Sequence, residues 1–223
     1  MGTITLSKQN RLFWLGRYSE RVYTTVQYML DLYDKLIEND KIDYAGFCQK
    51  LGIPCDYKDS SDFIRRYLFD PEAPGSIASG VDAMLGNGMV LRESITTPTL
   101  AYLQMAYNAL QLAAKSDAPM VELQWVLDDI MAFRGSFDDA IDIESMRNIT
   151  KAGGSVEKVS LTLRLNWRTE RLQKEIQKLV NRLYKTDLPI NDSALDIITR
   201  KAIEGEDIDK HILLQSVEEL LRV

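Results

Sequence analysis

An all-α helical bundle is the fold class this sequence predicts. Apolar residues recur at alternating three- and four-residue spacing over long stretches. Residues that open and close helices bracket those stretches. No segment combines period-two alternation with the turn chemistry of a sheet. The chain has 223 residues, 45% of them hydrophobic and 27% charged, which suits one buried core or one domain with an appendage.

The first helix is predicted over 8–38, capped by Ser7. Leu12, Leu15, Val22, Val26, Met29, Tyr33 and Leu36 form its buried face, interrupted by Ser19. A helix of that length is the natural spine of a bundle. One or two turns follow around Tyr44 to Leu51, ending near Gly52 and Pro54. Ser60 or Ser61 opens a helix with Phe63, Ile64, Tyr67 and Leu68, and Asp70-Pro71-Glu72-Ala73-Pro74-Gly75 stops it. Ser76 caps the next helix, expected to reach Ile95. Its Gly80, Gly86 and Gly88 either admit a close neighbour or weaken its middle.

Thr97-Pro98 and then Asp117-Ala118-Pro119 open two further helices, with proline in the first turn. The stretch between Gly135 and Gly153-Gly154 is ambiguous and read as helical. A second long helix is expected over 155–184, with Leu165, Leu172, Ile176, Leu179 and Leu183 inward. Asn191 or Asp192 caps a helix that Gly205 ends. Asp207 starts the last one, with Ile212, Leu213, Val217, Leu220 and Leu221 inward. The organisation expected is a bundle over 1–186 and a C-terminal helical pair over 187–223 packed on the same domain.

Composition narrows the function classes. The net charge of −6 argues against a nucleic-acid-binding domain. Cys48 and Cys55 lack metal or redox spacing; of the two readings left, one structural disulfide or two buried free thiols, the free thiols are the expectation. A single histidine, His211, leaves no histidine triad or histidine-rich metal centre. No metal or cofactor is expected. The uncharged window from Ser94 to Ala114 is too polar to span a bilayer well. The opening MGTITLSKQNR lacks the apolar core of a secretory signal, and Leu6 stands where a myristoylation motif has Ser or Thr. A cytoplasmic protein without membrane association is the expectation.

The chemistry-bearing residues cluster in two places. In Gly16-Arg17-Tyr18-Ser19-Glu20-Arg21, Gly16 and Glu20 share one helical ridge, and Arg17 can pair with Glu20. A second copy, Gly153-Gly154-Ser155-Val156-Glu157-Lys158, matches Gly16 to Gly153, Glu20 to Glu157, Arg21 to Lys158 and Val22 to Val159. This suggests an internal duplication. Two such helices packed together would place Gly16 at a tight crossing. They would also bring Glu20 and Glu157 near each other, with Arg17, Arg21 and Lys158 as compensating cations. The cluster reads as a structural ion-pair network or as a site for a polar ligand or partner. Asp70 reads as the brace of the Pro71 turn, Arg92 as a surface or ion-pair residue, and Trp14, Trp125 and Trp167 as core or interface.

The stretch Leu12-Phe13-Trp14-Leu15-Gly16-Arg17-Tyr18-Ser19-Glu20-Arg21 resembles the opening motif of the bacterial alpha-E domain family. A block from Leu68 to Ser79, followed by Leu91-Arg92-Glu93, resembles that family's F-D-P-x-x-P-x-S-I block and its L-R-E. Glu157-Lys158 stands where the family usually repeats Glu-Arg. Ala83, Leu85 and Met89 replace basic side chains, and Leu188-Pro189 stands where a second F-D-P block would follow. The resemblance is to a divergent, shortened member. It implies a helical companion of an ATP-grasp-type amide ligase or a transglutaminase-like protein in a peptide-modifying system. No reaction is attached to the domain itself, so a non-catalytic partner is expected, with no catalytic residues. The alternative is a ligand-binding or enzymatic bundle. Candidate binding residues are Arg17, Glu20, Arg21, Asp70, Arg92, Glu157 and Lys158. A homo-oligomer is also open.

Overall fold

A computed structural model describes residues 4–37 and 42–221. Among these, the chain forms ten α-helices and no sheet; the one β-bridge joins Ile190 to Leu221. The all-α expectation holds. The chain divides into two compact units, Met1–Glu20 with Asp142–Val223, and Arg21–Ile141.

Helix α1, Leu6–Ile37, contributes its first part to one unit and the remainder to the other. It starts two residues earlier than a Ser7 cap would place it. Thr5 takes the capping role: its hydroxyl accepts from the Lys8 amide at 3.4 Å and its carbonyl from Gln9 at 2.9 Å. The apolar stripe is real, with Leu12, Leu15, Val22, Val26 and Met29 buried. Tyr33 is half-buried, and the Leu36 side chain lies outside the described residues. Ser19 is also buried and donates to the Gly16 carbonyl at 3.0 Å, so a hydroxyl sits in the stripe at no hydrogen-bond cost.

In the Arg21–Ile141 unit, α2 (Tyr44–Leu51) ends at Gly52, whose φ of 68° closes the helix in the left-handed region. Helix α3 (Ser60–Phe69) is capped by Asp59, not by a serine. Helix α4 (Ile77–Val90) is capped by Ser76 as expected but ends five residues short of Ile95. Helices α5 (Thr97–Ala113) and α6 (Pro119–Ala140) pack against each other, and α4 packs on α5. The cap of α5 is Thr96, and α6 has no side-chain cap. Gly135 lies inside α6 and does not end it. In α4, a side chain at Gly80 would meet Val22 at 3.1 Å and one at Gly88 would run into Leu103 and Leu100, so both admit neighbours; Gly86 faces open space. Tyr28, Phe47, Phe63 and Tyr67 build an aromatic core, with Phe47 and Tyr67 edge-on at 4.9 Å.

The cysteines sit in this unit. Cys48 is buried as expected, whereas Cys55 is exposed. Burial, the Cys55 thiol that faces it and the charge of Asp56 push the Cys48 thiol up to about 12.

In the other unit, the expected helix over 155–184 does not exist as one element. Helix α7 runs Glu144–Leu165, and after a 3-10 turn at Thr169–Arg171, α8 runs Leu172–Leu183. The break lies at Asn166-Trp167-Arg168. Asn166 (φ 52°) and Arg168 (φ 54°) adopt the left-handed backbone, and asparagine tolerates that better than other side chains. Helix α9 (Asp192–Thr199), capped by Asn191, widens into a π turn at Arg200–Glu204 that Gly205 ends. Helix α10 (Lys210–Glu218) is capped by Asp209, not Asp207. Its Leu213 and Val217 are buried, but Ile212 points outward. Helices α8 and α10 pack on α7, and α9 packs on both α8 and α10.

Candidate functional site

The site grows from two glycines. Helices α1 and α7 cross so closely that a Cβ at Gly16 would overlap the Thr150 carbonyl oxygen and stand 3.0 Å from the Gly154 amide. A Cβ at Gly153 would overlap the Phe13 carbonyl oxygen. Thr150 lies three residues before Gly153, and Phe13 three before Gly16. The contact is therefore reciprocal about a local pseudo-twofold axis. Only hydrogen on Cα lets two helix backbones approach this far.

One turn beyond the glycines come the carboxylates. Glu157, 1% exposed, receives Arg17 from the opposite helix: Nε donates to Oε2 at 2.8 Å, and Nη2 lies 2.8 Å from the same oxygen. The Arg17 guanidinium also lies over the Trp14 ring, 4.7 Å from its centroid. Glu20 meets Lys158 from α7 at 3.3 Å. The carboxylate of each helix is thus neutralised by a cation of the other. Arg17 pairs across the crossing with Glu157, and not along its own helix with Glu20 as the spacing suggested.

The duplication explains the different partners. The counterpart of Arg17 is Gly154, whose added Cβ would meet Glu20 Cβ at 3.8 Å in ordinary contact. Glu20 therefore has no counterpart of Arg17 beside it and takes Lys158 instead.

The other face of α7 holds a contact that the sequence did not reveal. Arg182 of α8 donates to the Lys151 carbonyl at 3.1 Å and also to the Ser155 hydroxyl. Ser155 is buried. A cation in the last turn of α8, facing a serine and a carbonyl of α7, was the available signal.

Arg21 follows Glu20 directly in α1, and its charge also acts on the buried Tyr67 hydroxyl. The other expected site residues stand elsewhere. Asp70 ends α3 and braces the Pro71 turn: its Oδ1 accepts from Glu72 at 3.0 Å, and Arg66 lies 3.6 Å away. Arg92 is exposed in the turn after α4. Trp125 is exposed as well, not in the core, while Trp14 and Trp167 are half-buried.

Chemically, the crossing is a pair of shielded, charge-compensated carboxylates. His211 is exposed on α10 and is not part of it. Among the described residues no group of acidic, cysteine or histidine side chains could hold a metal ion, and no helix is long and apolar enough to cross a membrane.

No curated protein and no solved structure matches the chain. A family model does, over residues 8–197: that of a predicted alpha-helical domain with a conserved ER motif. The matched segment takes in both halves of the crossing, Glu20-Arg21 included. The chain belongs to the Alpha-E family.

Proposed function

We propose that this chain is a non-catalytic, cytoplasmic helical partner of an ATP-grasp-type amide ligase or a transglutaminase-like protein in a peptide-modifying system. The observation that carries the non-catalytic part is the state of the Glu157 carboxylate. It is buried, and Arg17 holds it with two nitrogens on one oxygen. An acid or base in a reaction must reach substrate and exchange a proton with it. A carboxylate closed in this way fixes the register of two helices instead, a role well suited to buried ion pairs. The partner's identity comes from the family resemblance.

Co-purification of the tagged chain with the ligase-type enzymes encoded beside it tests the reading. A stable complex that turns over peptide substrate only when this chain is present supports it. A chain that remains alone, or that shows turnover by itself, overturns it.

A second reading is a polar-ligand site at the Glu20–Lys158 pair. It draws on the residual exposure of these side chains, 12% and 19%. Native mass spectrometry of Glu20→Gln against the parent separates the two readings. Loss of a bound small molecule with melting unchanged favours the ligand site; loss of stability with partner binding intact favours the register lock.

A further inference from the structure

The outward side of α6 carries an apolar strip flanked by acids. Val121 is 72% exposed and Trp125 62%. Val121 and Trp125, four residues apart, share a ridge, and Glu122, Asp128 and Asp129 stand at helix-neighbour positions around Trp125. Gln124 donates to Asp128 at 2.7 Å. Partial burial and the like charge of Asp128 raise the Asp129 carboxyl above its ordinary range. The basic residue of α6, Arg134, lies over the Tyr23 ring at 4.6 Å. The neighbouring α5 has no charged side chain and exposes Met105 and Leu112. Acidic residues well outnumber basic ones across Arg21–Ile141.

We infer that this α6 face docks a cationic amphipathic helix of a partner protein, with an arginine or lysine set over the Trp125 ring between Glu122, Asp128 and Asp129. An indole face is the strongest aromatic site for a cation, and carboxylates on either side complete its pairing. An uncharged apolar partner would desolvate Asp129 further without compensation. A second copy of this chain would bring the same carboxylates against each other. The cationic helix is the occupant that meets both the apolar ridge and the acidic margin. This inference deepens the partner reading and rests on it, but the peptide assay below does not depend on which enzyme the partner is.

The test uses the full chain and a synthetic amphipathic helix of about 18 leucine and lysine residues, with the same peptide carrying glutamate for lysine as control. Binding is measured by calorimetry at physiological salt. The cationic peptide is expected to bind, and the glutamate peptide is not. Trp125→Ser, and separately Asp128→Asn with Asp129→Asn, are expected to weaken binding roughly tenfold or more. Ile203→Ser, at an exposed apolar position on the π turn, leaves binding unchanged. All four positions accept polar side chains at little cost to folding, which circular dichroism melting checks. Absence of binding overturns the inference. So does binding that survives Trp125→Ser, which would be general attraction to an acidic protein. Sedimentation showing a dimer that Trp125→Ser dissolves would assign the face to a second copy and overturn it too. Peptide binding without any ligase co-purification would leave this face standing and remove the enzyme assignment alone.

Discussion

Replacing Gly16 with alanine adds one methyl group at the α1–α7 crossing, and the structure sets the sign of its effect. In an open helix the change is favourable, because alanine is a better helix former than glycine by about 1 kcal/mol. At Gly16 the methyl would occupy the place of the Thr150 carbonyl oxygen, which is backbone and cannot swing aside. The helices must separate. Overpacking of this kind costs about 1–3 kcal/mol, and a backbone obstacle sets it near the upper end. Separation also strains the 2.8 Å contact of Arg17 with the buried Glu157. The net expectation is destabilisation by about 2 kcal/mol after the helix-propensity gain. Leucine at the same place costs more.

Gly86→Ala and Gly135→Ala provide the control, since both are helical and face open space. They should stabilise by about 0.5–1 kcal/mol. Gly153→Ala should behave like Gly16→Ala, and Gly154→Ala should be nearly neutral, its nearest contact being 3.5 Å away. The double change at Gly16 and Gly153 should cost less than the two single costs together, because one separation relieves both clashes. Urea unfolding followed at 222 nm measures all of these. If Gly16→Ala unfolds at the parent's midpoint or above it, the close-approach argument is wrong.

Three further outcomes follow from the same structure. Glu157→Gln should cost about 2–3 kcal/mol in urea unfolding, since it leaves a half-buried guanidinium without its anion, while Glu20→Gln, at the more solvated pair, should cost about 1 kcal/mol or less. Equal costs would contradict the burial difference. Iodoacetamide at pH 8 should label the exposed Cys55 once per folded chain and reach Cys48 only after unfolding; two rapid additions would refute the burial of Cys48. Cys48 and Tyr57 both titrate at about 12 when folded, raised above their ordinary values of 9.0 and 10.0 mainly by burial. Their stabilising contribution is complete below the ordinary values and is lost as pH rises from there toward 12, so the unfolding midpoint should fall over that alkaline window. A flat midpoint over the window would refute it.

Much of this fold was written in local chemistry. The α1 stripe, the stop at Asp70-Pro71 through Gly75, the Ser76 cap and the Asn191 cap depend on neighbours in the chain, and each is legible from sequence. The crossing was legible too, because two glycine-to-acid spacings repeat and glycine on a long helix needs a reason. What pairs with what was not. Spacing along α1 offered Arg17 to Glu20; only packing against α7 turned Arg17 to Glu157 and left Glu20 to Lys158.

The same limit explains the misplaced second helix. Gly153-Gly154 carries the sign of a helix boundary, yet it lies mid-helix because a neighbouring backbone needs the space. The true break at Asn166 hides from periodicity because Leu165 and Leu172 are seven residues apart, so the apolar register runs on across a turn that changes direction. Local sequence determines where a chain can be helical and which side of each helix is apolar, since those depend on side-chain chemistry and a fixed helical period. Whether a glycine ends a helix or lets another one in, and which cation answers a buried carboxylate, depends on groups more than a hundred residues away, and the tertiary structure alone decided them.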